Sequence, residues 1–100
     1  MVRFERSARV ARGKLLEARQ WAQEVTDYIN KVHPEMKFQV FSERLGNIGK
    51  LSWQADFDDL ATLDHYQASF DSDQEYWALV NKGTELLIED SVRDTAYETL

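Results

Sequence analysis

The spacing of apolar residues switches between two periods along this chain, and the order of the switches constrains the fold more than any other feature. Apolar residues recur at nearly every second position near 2–10, 36–41 and 51–57, and at every third or fourth position over 15–32 and 60–87. Near the end of the chain Val92, Ala96 and Leu100 lie on one side and Arg93, Thr95, Tyr97 and Thr99 on the other. A period of two is typical of half-buried strands, and a period near 3.6 is typical of amphipathic helices. The sequence therefore predicts the order strand, helix, strand, strand, helix, strand.

The first helix is predicted from six apolar residues spaced three and four apart. They are Leu15, Ala18, Ala22, Val25, Ile29 and Val32. We expect the helix to end before Pro34, because proline lacks a backbone N–H and clashes with a preceding helical turn. Trp21 and Tyr28 flank the stripe and broaden the face that we expect to be buried.

The second helical segment is predicted to be broken in two. Asp58 or Asp59 can accept backbone N–H bonds at its start, and its first piece is expected to end near Asp71. Ser72 and Glu75 have capping-box spacing, which predicts a new helix with Ser72 as its N-cap. The inward stripe of the first piece is predicted to be Leu60, Leu63, Gln67 and Phe70.

Glycines mark two further boundaries. The run Gly46-Asn47-Ile48-Gly49 supplies a turn between the second and third strands, which predicts a hairpin. Gly83 lies inside the last helical pattern, which leaves open whether the helix passes through it or ends there.

The order of elements is that of the ferredoxin-like βαββαβ arrangement, an α+β fold. In it a four-stranded antiparallel sheet carries both helices on one face. A chain of 100 residues with 43% hydrophobic residues has enough apolar surface for one core, so a single domain over residues 1–100 is predicted.

Composition disfavours several classes of function. The chain has no cysteine, which removes disulfides, thiolate zinc sites and iron–sulfur clusters and predicts a reducing compartment, the cytoplasm. The net charge of -6 disfavours nucleic-acid binding, which needs a cationic surface. The first residues carry charges every few positions and no apolar run, so neither a signal peptide nor a membrane span is predicted. We expect no cofactor and no metal ion.

The face of the sheet opposite the helices is the main functional clue. This bare face is predicted to consist of Arg3, Glu5, Ser7, Arg9, Lys37, Gln39, Phe41, Glu43, Ser52, Gln54, Asp56, Arg93, Thr95, Tyr97 and Thr99. It mixes both signs of charge with two aromatic residues, a composition that suits contact with a second copy across a two-fold axis. The interface candidates are Phe41, Glu43, Arg93 and Tyr97. An ordinary solvated sheet surface is the alternative.

The distribution of charge along the chain agrees with such a contact. Residues 1–50 hold ten Lys/Arg and six Asp/Glu, a charge of +4, whereas residues 51–100 hold two and twelve, a charge of -10. Opposite signs can neutralise one another across neighbouring strands or across a subunit contact.

RNA recognition is the other function that this fold commonly serves. RNA-recognition modules present stacking aromatic residues on the open face of their third strand. Here the alternation places Trp53 and Phe57 under the helices and leaves polar residues on the bare face. RNA binding is therefore not predicted.

Four segments of the sequence resemble the dimeric α/β-barrel superfamily. They are 49–53, 57–60, 72–76 and 91–97. The NIPSNAP-like and antibiotic-biosynthesis-monooxygenase-like branches are the most similar. The resemblance implies a homodimer in which two bare faces close into a barrel, with a small-molecule pocket between sheet and helices.

Candidate ligand-binding residues follow from this resemblance and from the aromatic content. Trp53, Tyr76 and Trp77 could wall a planar ligand, because aromatic rings supply large contact areas; filling the core is their alternative role. Three functions stay open: a homodimer that binds a small apolar or aromatic molecule, a cofactor-independent monooxygenase or cyclase acting on an aromatic polyketide-like substrate, and a purely structural dimer without a pocket.

Haem chemistry is not expected. Haem-degrading relatives ligate iron through a histidine whose matching position here is Leu79 or Val80. The chain's two histidines, His33 and His65, are predicted to lie at a helix end and on a water-facing side, so a catalytic role is not predicted for either.

Overall fold

The computed structural model describes residues 1–100 and has the predicted order of elements, with the second helix divided. The strands are β1 (Val2–Arg9), β2 (Gln39–Ser42), β3 (Lys50–Phe57) and β4 (Arg93–Glu98). The helices are α1 (Leu15–Val32), α2 (Leu60–Asp71) and α3 (Gln74–Lys82). Short 3-10 turns span Pro34–Met36 and Thr84–Leu86.

The four strands form one sheet in the order β2-β3-β1-β4, and every neighbouring pair is antiparallel. β1 lies in the centre, with Val2 opposite Phe57 of β3 on one side and opposite Glu98 of β4 on the other. The predicted hairpin joins β2 to β3. This topology confirms the ferredoxin-like α+β fold.

The core lies between the helices and one side of the sheet, the covered face, to which β1 and β3 contribute alternate residues. Its buried strand residues include Phe4, Ala8, Leu51, Trp53, Ala55 and Phe57. Leu51 is the most deeply buried large side chain, with 1% of its surface exposed. The alternation therefore assigned the two faces of the central strands correctly.

The buried stripe of α1 differs from the prediction at its ends. Val32 is exposed and Leu15 only half-buried, whereas Trp21 and Thr26 are buried. Thr26 can be buried because its hydroxyl donates a hydrogen bond to the Ala22 carbonyl at 2.8 Å. The helix ends before Pro34, as predicted.

The capping prediction was right for α2 and wrong by one residue for α3. Asp59 caps α2 by accepting the Thr62 backbone N–H at 2.8 Å. Asp73, not Ser72, caps α3 and accepts the Tyr76 N–H at 3.0 Å. Ser72 instead ends α2, which leaves Asp73 as the extended residue from which α3 begins.

The inward stripe predicted for α2 was also partly wrong. Leu60 and Gln67 are exposed, and the residues turned towards the sheet are Leu63, Tyr66 and Phe70. Successive helical residues are about 100° apart, so Leu63, Tyr66 and Phe70 share one face, from which Leu60 and Gln67 are rotated. The larger Tyr66 ring occupies the inward position.

The helix α3 ends at Gly83, which answers the question that the sequence pattern left open. A Cβ atom at this position would lie 1.9 Å from Cε2 of Trp21. The indole Nε1 of Trp21 donates to the Leu79 carbonyl at 2.9 Å, which fastens the ring to the last turns of α3. Glycine is therefore required here for the close approach of α3 to α1.

Candidate functional site

A cavity of about 280 Å³ lies between the covered face and the broken helix, lined by fourteen residues of which ten are hydrophobic. Its aromatic lining residues are Phe4, Phe38, Phe57, Tyr66, Phe70, Tyr76 and Trp77. Its polar lining residues are Arg6, Gln67, Asp71 and Asp94. A mostly apolar cavity with a few polar groups is typical of a small-molecule site.

The break between α2 and α3 shapes one wall of the cavity. The rings of Phe70 and Tyr76, which lie on either side of the break, are 4.8 Å apart, and the Tyr76 and Trp77 rings meet edge to face at 5.3 Å. The Trp77 indole donates across the break to the Asp71 backbone carbonyl at 3.2 Å. This bond holds the ring at the wall, where 42% of Trp77 remains exposed.

An ion pair between β1 and β4 forms the polar end of the cavity. The Arg6 guanidinium donates two hydrogen bonds to Asp94, from Nε to Oδ1 at 2.7 Å and from Nη2 to Oδ2 at 2.8 Å. Both residues lie on the covered face, where their strands place them opposite each other. Sequence reasoning missed this pair, although a charged residue at an inward position of an apolar strand was the available signal.

The groups around this pair shift one another's pKa values. Hydrogen bonding to Asp94 raises the pKa of Arg6, against the opposing effect of burial. Burial raises the pKa of Tyr76, nearby Arg6 opposes that shift, and the Asp94 and Asp71 carboxylates add to it. The polar end therefore favours the charged form of Arg6 and the neutral form of the Tyr76 phenol.

The structure brings together two of the three predicted ligand-binding residues. Tyr76 and Trp77 line the cavity, but Trp53 is not among the lining residues. Trp53 is 5% exposed and packs edge to face on Trp21, with ring centroids 6.0 Å apart. Its indole Nε1 is buried without a hydrogen-bond partner. Ligand contact by any of the three stays a prediction.

The interface candidates lie on the two edge strands or next to them. Phe41 on β2 and Tyr97 on β4 are 46% and 53% exposed. Arg93 is exposed and makes no ion pair within the chain, while Glu43 accepts the Asn47 backbone N–H in the hairpin loop. Their role in a dimer also stays a prediction.

A Ser–His–Glu arrangement lies beside the cavity, at the end of α1. His33 Nε2 is 3.2 Å from Ser69 Oγ, and His33 Nδ1 is 3.3 Å from Glu35 Oε1. The Ser69 hydroxyl donates to the Tyr66 carbonyl at 2.8 Å, and Ser69 does not line the cavity. The three side chains therefore join the end of α1 to α2, which agrees with the helix-terminal role predicted for His33. His65 is exposed, as predicted.

No three His, Asp or Glu side chains are grouped so that they could hold a metal ion. None of the helices combines the length and the apolar character needed to cross a bilayer.

The fold is shared with solved structures of two groups of proteins. A NIPSNAP domain protein from Burkholderia xenovorans has a TM-score of 0.83 at 14% identity, with 100% of this chain and 95% of that chain covered. A NIPSNAP family protein from Agrobacterium tumefaciens has a TM-score of 0.81 at 16% identity, with 99% of this chain and 92% of that chain covered. An antibiotic biosynthesis monooxygenase has a TM-score of 0.71 at 11% identity, with 100% of this chain and 99% of that chain covered.

The chain has the fold of these proteins. No protein-family model matches its sequence, and no curated protein matches it either. The two groups of structural neighbours are the two branches that the sequence segments resembled, so that resemblance is confirmed at the level of the fold.

Proposed function

We propose that this protein is a homodimer that binds a small apolar or aromatic molecule in the cavity between sheet and helices. The observation that carries the proposal is the cavity itself, about 280 Å³ in volume and lined by seven aromatic side chains. In a purely structural dimer, one of the alternatives, side chains are expected to fill this space.

The size and the walls of the cavity limit the ligand. Its volume is just below the range of roughly 300–1,000 Å³ that is typical of drug-sized ligands, which favours a molecule with one small ring system. The tilted and edge-to-face rings of Phe70, Tyr76 and Trp77 offer both faces and edges for contact with a planar ligand.

Blocking the cavity tests the binding proposal. Gln67 lines the cavity from the exposed side of α2, whereas its exposed neighbour Ala68 does not line it. We expect the wild type to bind members of a panel of one- and two-ring aromatic compounds in ligand-observed NMR, and Gln67→Trp to lose that binding. Ala68→Trp is the matched control and should retain it. Binding that survives in Gln67→Trp would place the ligand elsewhere.

Dimerisation through the bare face completes the proposal. It is supported by the exposed aromatic side chains Phe41 and Tyr97, by the unpaired Arg93, and by the absence of any helix over this side of the sheet. Charges of both signs beside aromatic anchors suit a self-complementary contact. We expect such a protein to reside in the cytoplasm.

Sedimentation velocity tests the dimer. Phe41→Glu places a carboxylate on the proposed contact and should shift the protein towards monomer. Leu16→Glu makes the same kind of change at an exposed position of α1, away from the sheet, and should leave the mass unchanged. A wild type that sediments as a monomer at high concentration would refute the dimer while leaving the cavity proposal intact.

Cofactor-independent oxygenation is the second candidate function. It is supported by the likeness to an antibiotic biosynthesis monooxygenase and by the guanidinium and neutral phenol at the polar end of the cavity. Oxygen consumption with a panel of aromatic quinols tests it. Turnover that Trp77→Ala abolishes would favour the enzyme, and binding without turnover would favour the first proposal.

A further inference from the structure

The polar lining of the cavity carries more negative than positive charge, and its walls are aromatic. We propose that the ligand is a cation, a small ammonium compound with an aromatic or compact apolar body. This inference rests on the proposed binding function and specifies the class of ligand.

The single cationic group of the lining is already paired. Arg6 forms both of its close hydrogen bonds with Asp94, at 2.7 and 2.8 Å. An anionic ligand would have to displace this carboxylate from a two-pronged contact, which is the strongest geometry for a guanidinium. The pair as a whole contributes no net charge, so it does not attract anions.

The remaining charged group of the lining is Asp71. Its carboxylate makes no hydrogen bond or ion pair within the chain, and it is the last residue of α2. The carboxyl end of a helix carries partial negative charge, which adds to that of the side chain. The neighbouring positive end of α3 is capped by the Asp73 carboxylate. The potential at this wall therefore favours a cation.

Aromatic rings line the cavity together with Asp71, which is itself exposed. Trp77 donates its indole N–H to the Asp71 carbonyl and keeps part of its surface open to the cavity, and the Tyr76 and Phe70 rings follow it along the wall. The face of an aromatic ring attracts a cation through its quadrupole, most strongly for tryptophan. The Tyr66 hydroxyl, from another ring of the lining, donates to Glu35 at 2.8 Å, which places a further carboxylate at the hydroxyl end of that ring.

Two probes of nearly equal shape and a smaller anion test the sign of the preferred charge. Benzyltrimethylammonium is the cation, neopentylbenzene replaces its nitrogen by carbon and is neutral, and phenylacetate is an anion with the same ring. In NMR titrations at pH 8 we expect the cation to bind about tenfold more tightly than the neutral compound. We expect phenylacetate to bind most weakly.

Two variants with the same change in net charge locate the effect. Asp71→Asn should weaken binding of benzyltrimethylammonium several-fold and leave neopentylbenzene unaffected. Asp64→Asn, at an exposed position of α2 outside the cavity lining, should change neither. Equal losses in the two variants would mean that only overall charge matters and would overturn the proposal.

The outcomes separate the two proposals. If the neutral compound or phenylacetate binds as tightly as the cation, and Gln67→Trp abolishes that binding, the cavity is a ligand site and the inference of a cationic ligand is wrong. If neither charged probe binds at millimolar concentration and neopentylbenzene does not bind up to its solubility limit, this inference is wrong and the proposed function loses its main support.

Discussion

Two ion pairs of the same type extend from β1 on opposite faces of the sheet. Arg3 binds Asp56 of β3 on the bare face at 2.9 and 3.1 Å, and Arg6 binds Asp94 of β4 on the covered face at 2.7 and 2.8 Å. The first pair lies in solvent among other polar residues, whereas the second forms the end of an aromatic cavity. The same chemistry therefore serves a wetted surface on one side and a candidate binding site on the other.

The contrast extends to the whole of each face. Side chains of the central strands on the covered face are mostly apolar and buried. The exception is Arg6, which lines the cavity. The bare face is polar, with aromatic residues confined to its edge strands. Arg6 and Asp94 lie on the covered face but keep 39% and 44% of their side chains exposed, and their pairing offsets the cost of partial burial.

Truncation of a large side chain on each face should give the largest difference. Leu51→Ala removes the most deeply buried large side chain and should lower the free energy of unfolding by about 2–5 kcal/mol, because it leaves a cavity in the core. Tyr97→Ala on the bare face should change the free energy of unfolding of the monomer by less than about 0.5 kcal/mol. Urea denaturation at two protein concentrations measures both. Similar losses at low concentration would mean that the two faces are equally packed.

The same glycine substitution at two positions sharpens the comparison. Gly83→Ala introduces a Cβ at 1.9 Å from the Trp21 ring and should cost about 1–3 kcal/mol through overpacking. Gly49→Ala, in the hairpin loop, has no atom within 4 Å of the new Cβ and should be neutral or stabilising by up to about 1 kcal/mol. Thermal unfolding measures both. A tolerant Gly83 would show that α3 can move away from α1.

Removing the carboxylate of each ion pair compares the pairs directly. Asp94→Asn leaves the half-buried Arg6 beside aromatic rings and should cost about 1 kcal/mol. Asp56→Asn leaves Arg3 in solvent, so its effect should be smaller and should decline with added salt. Denaturation at low and high ionic strength checks both expectations. A larger loss for Asp56→Asn would reverse the comparison.

Acidification should lower the stability of the fold by a smaller amount, to which several carboxylates contribute. Hydrogen bonds from Arg3, Thr62 and Tyr28 lower the pKa values of Asp56, Asp59 and Asp73, respectively. These groups stabilise the fold above their unfolded-state pKa near 4, and that contribution is lost as the pH falls through their lower folded values. Denaturation at pH 6 and pH 3 should therefore show a loss at pH 3.

A variant locates part of this acid effect. Tyr28→Phe removes the hydrogen bond that lowers the pKa of Asp73 most, so its loss of stability between pH 6 and pH 3 should be smaller than that of the wild type. An equal or larger loss in this variant would contradict the assignment to Asp73.

Local patterns predicted most of the architecture and part of the site. The alternation in β1 and β3 identified the buried and bare residues, and the sequence around Asp71 indicated the break that brings Tyr76 and Trp77 to the cavity. The predicted cap at Ser72 was wrong because Asp73, with an equally suitable side chain, adopts the extended conformation there. Gln67 lines the cavity but is exposed rather than part of the buried stripe, because Tyr66 takes the position that packs against the core.

By itself the sequence determined the order of the elements, the two faces of the central strands and the lack of cysteine chemistry, because these follow from residue type and from spacing over a few positions. Only the tertiary structure decided that Arg6 meets Asp94, 88 positions away, that Trp53 packs on Trp21 outside the cavity lining, and that a space remains beside Tyr76 and Trp77. Contacts between distant segments depend on how the helices pack against the sheet, and the local spacing of residues does not predict that packing.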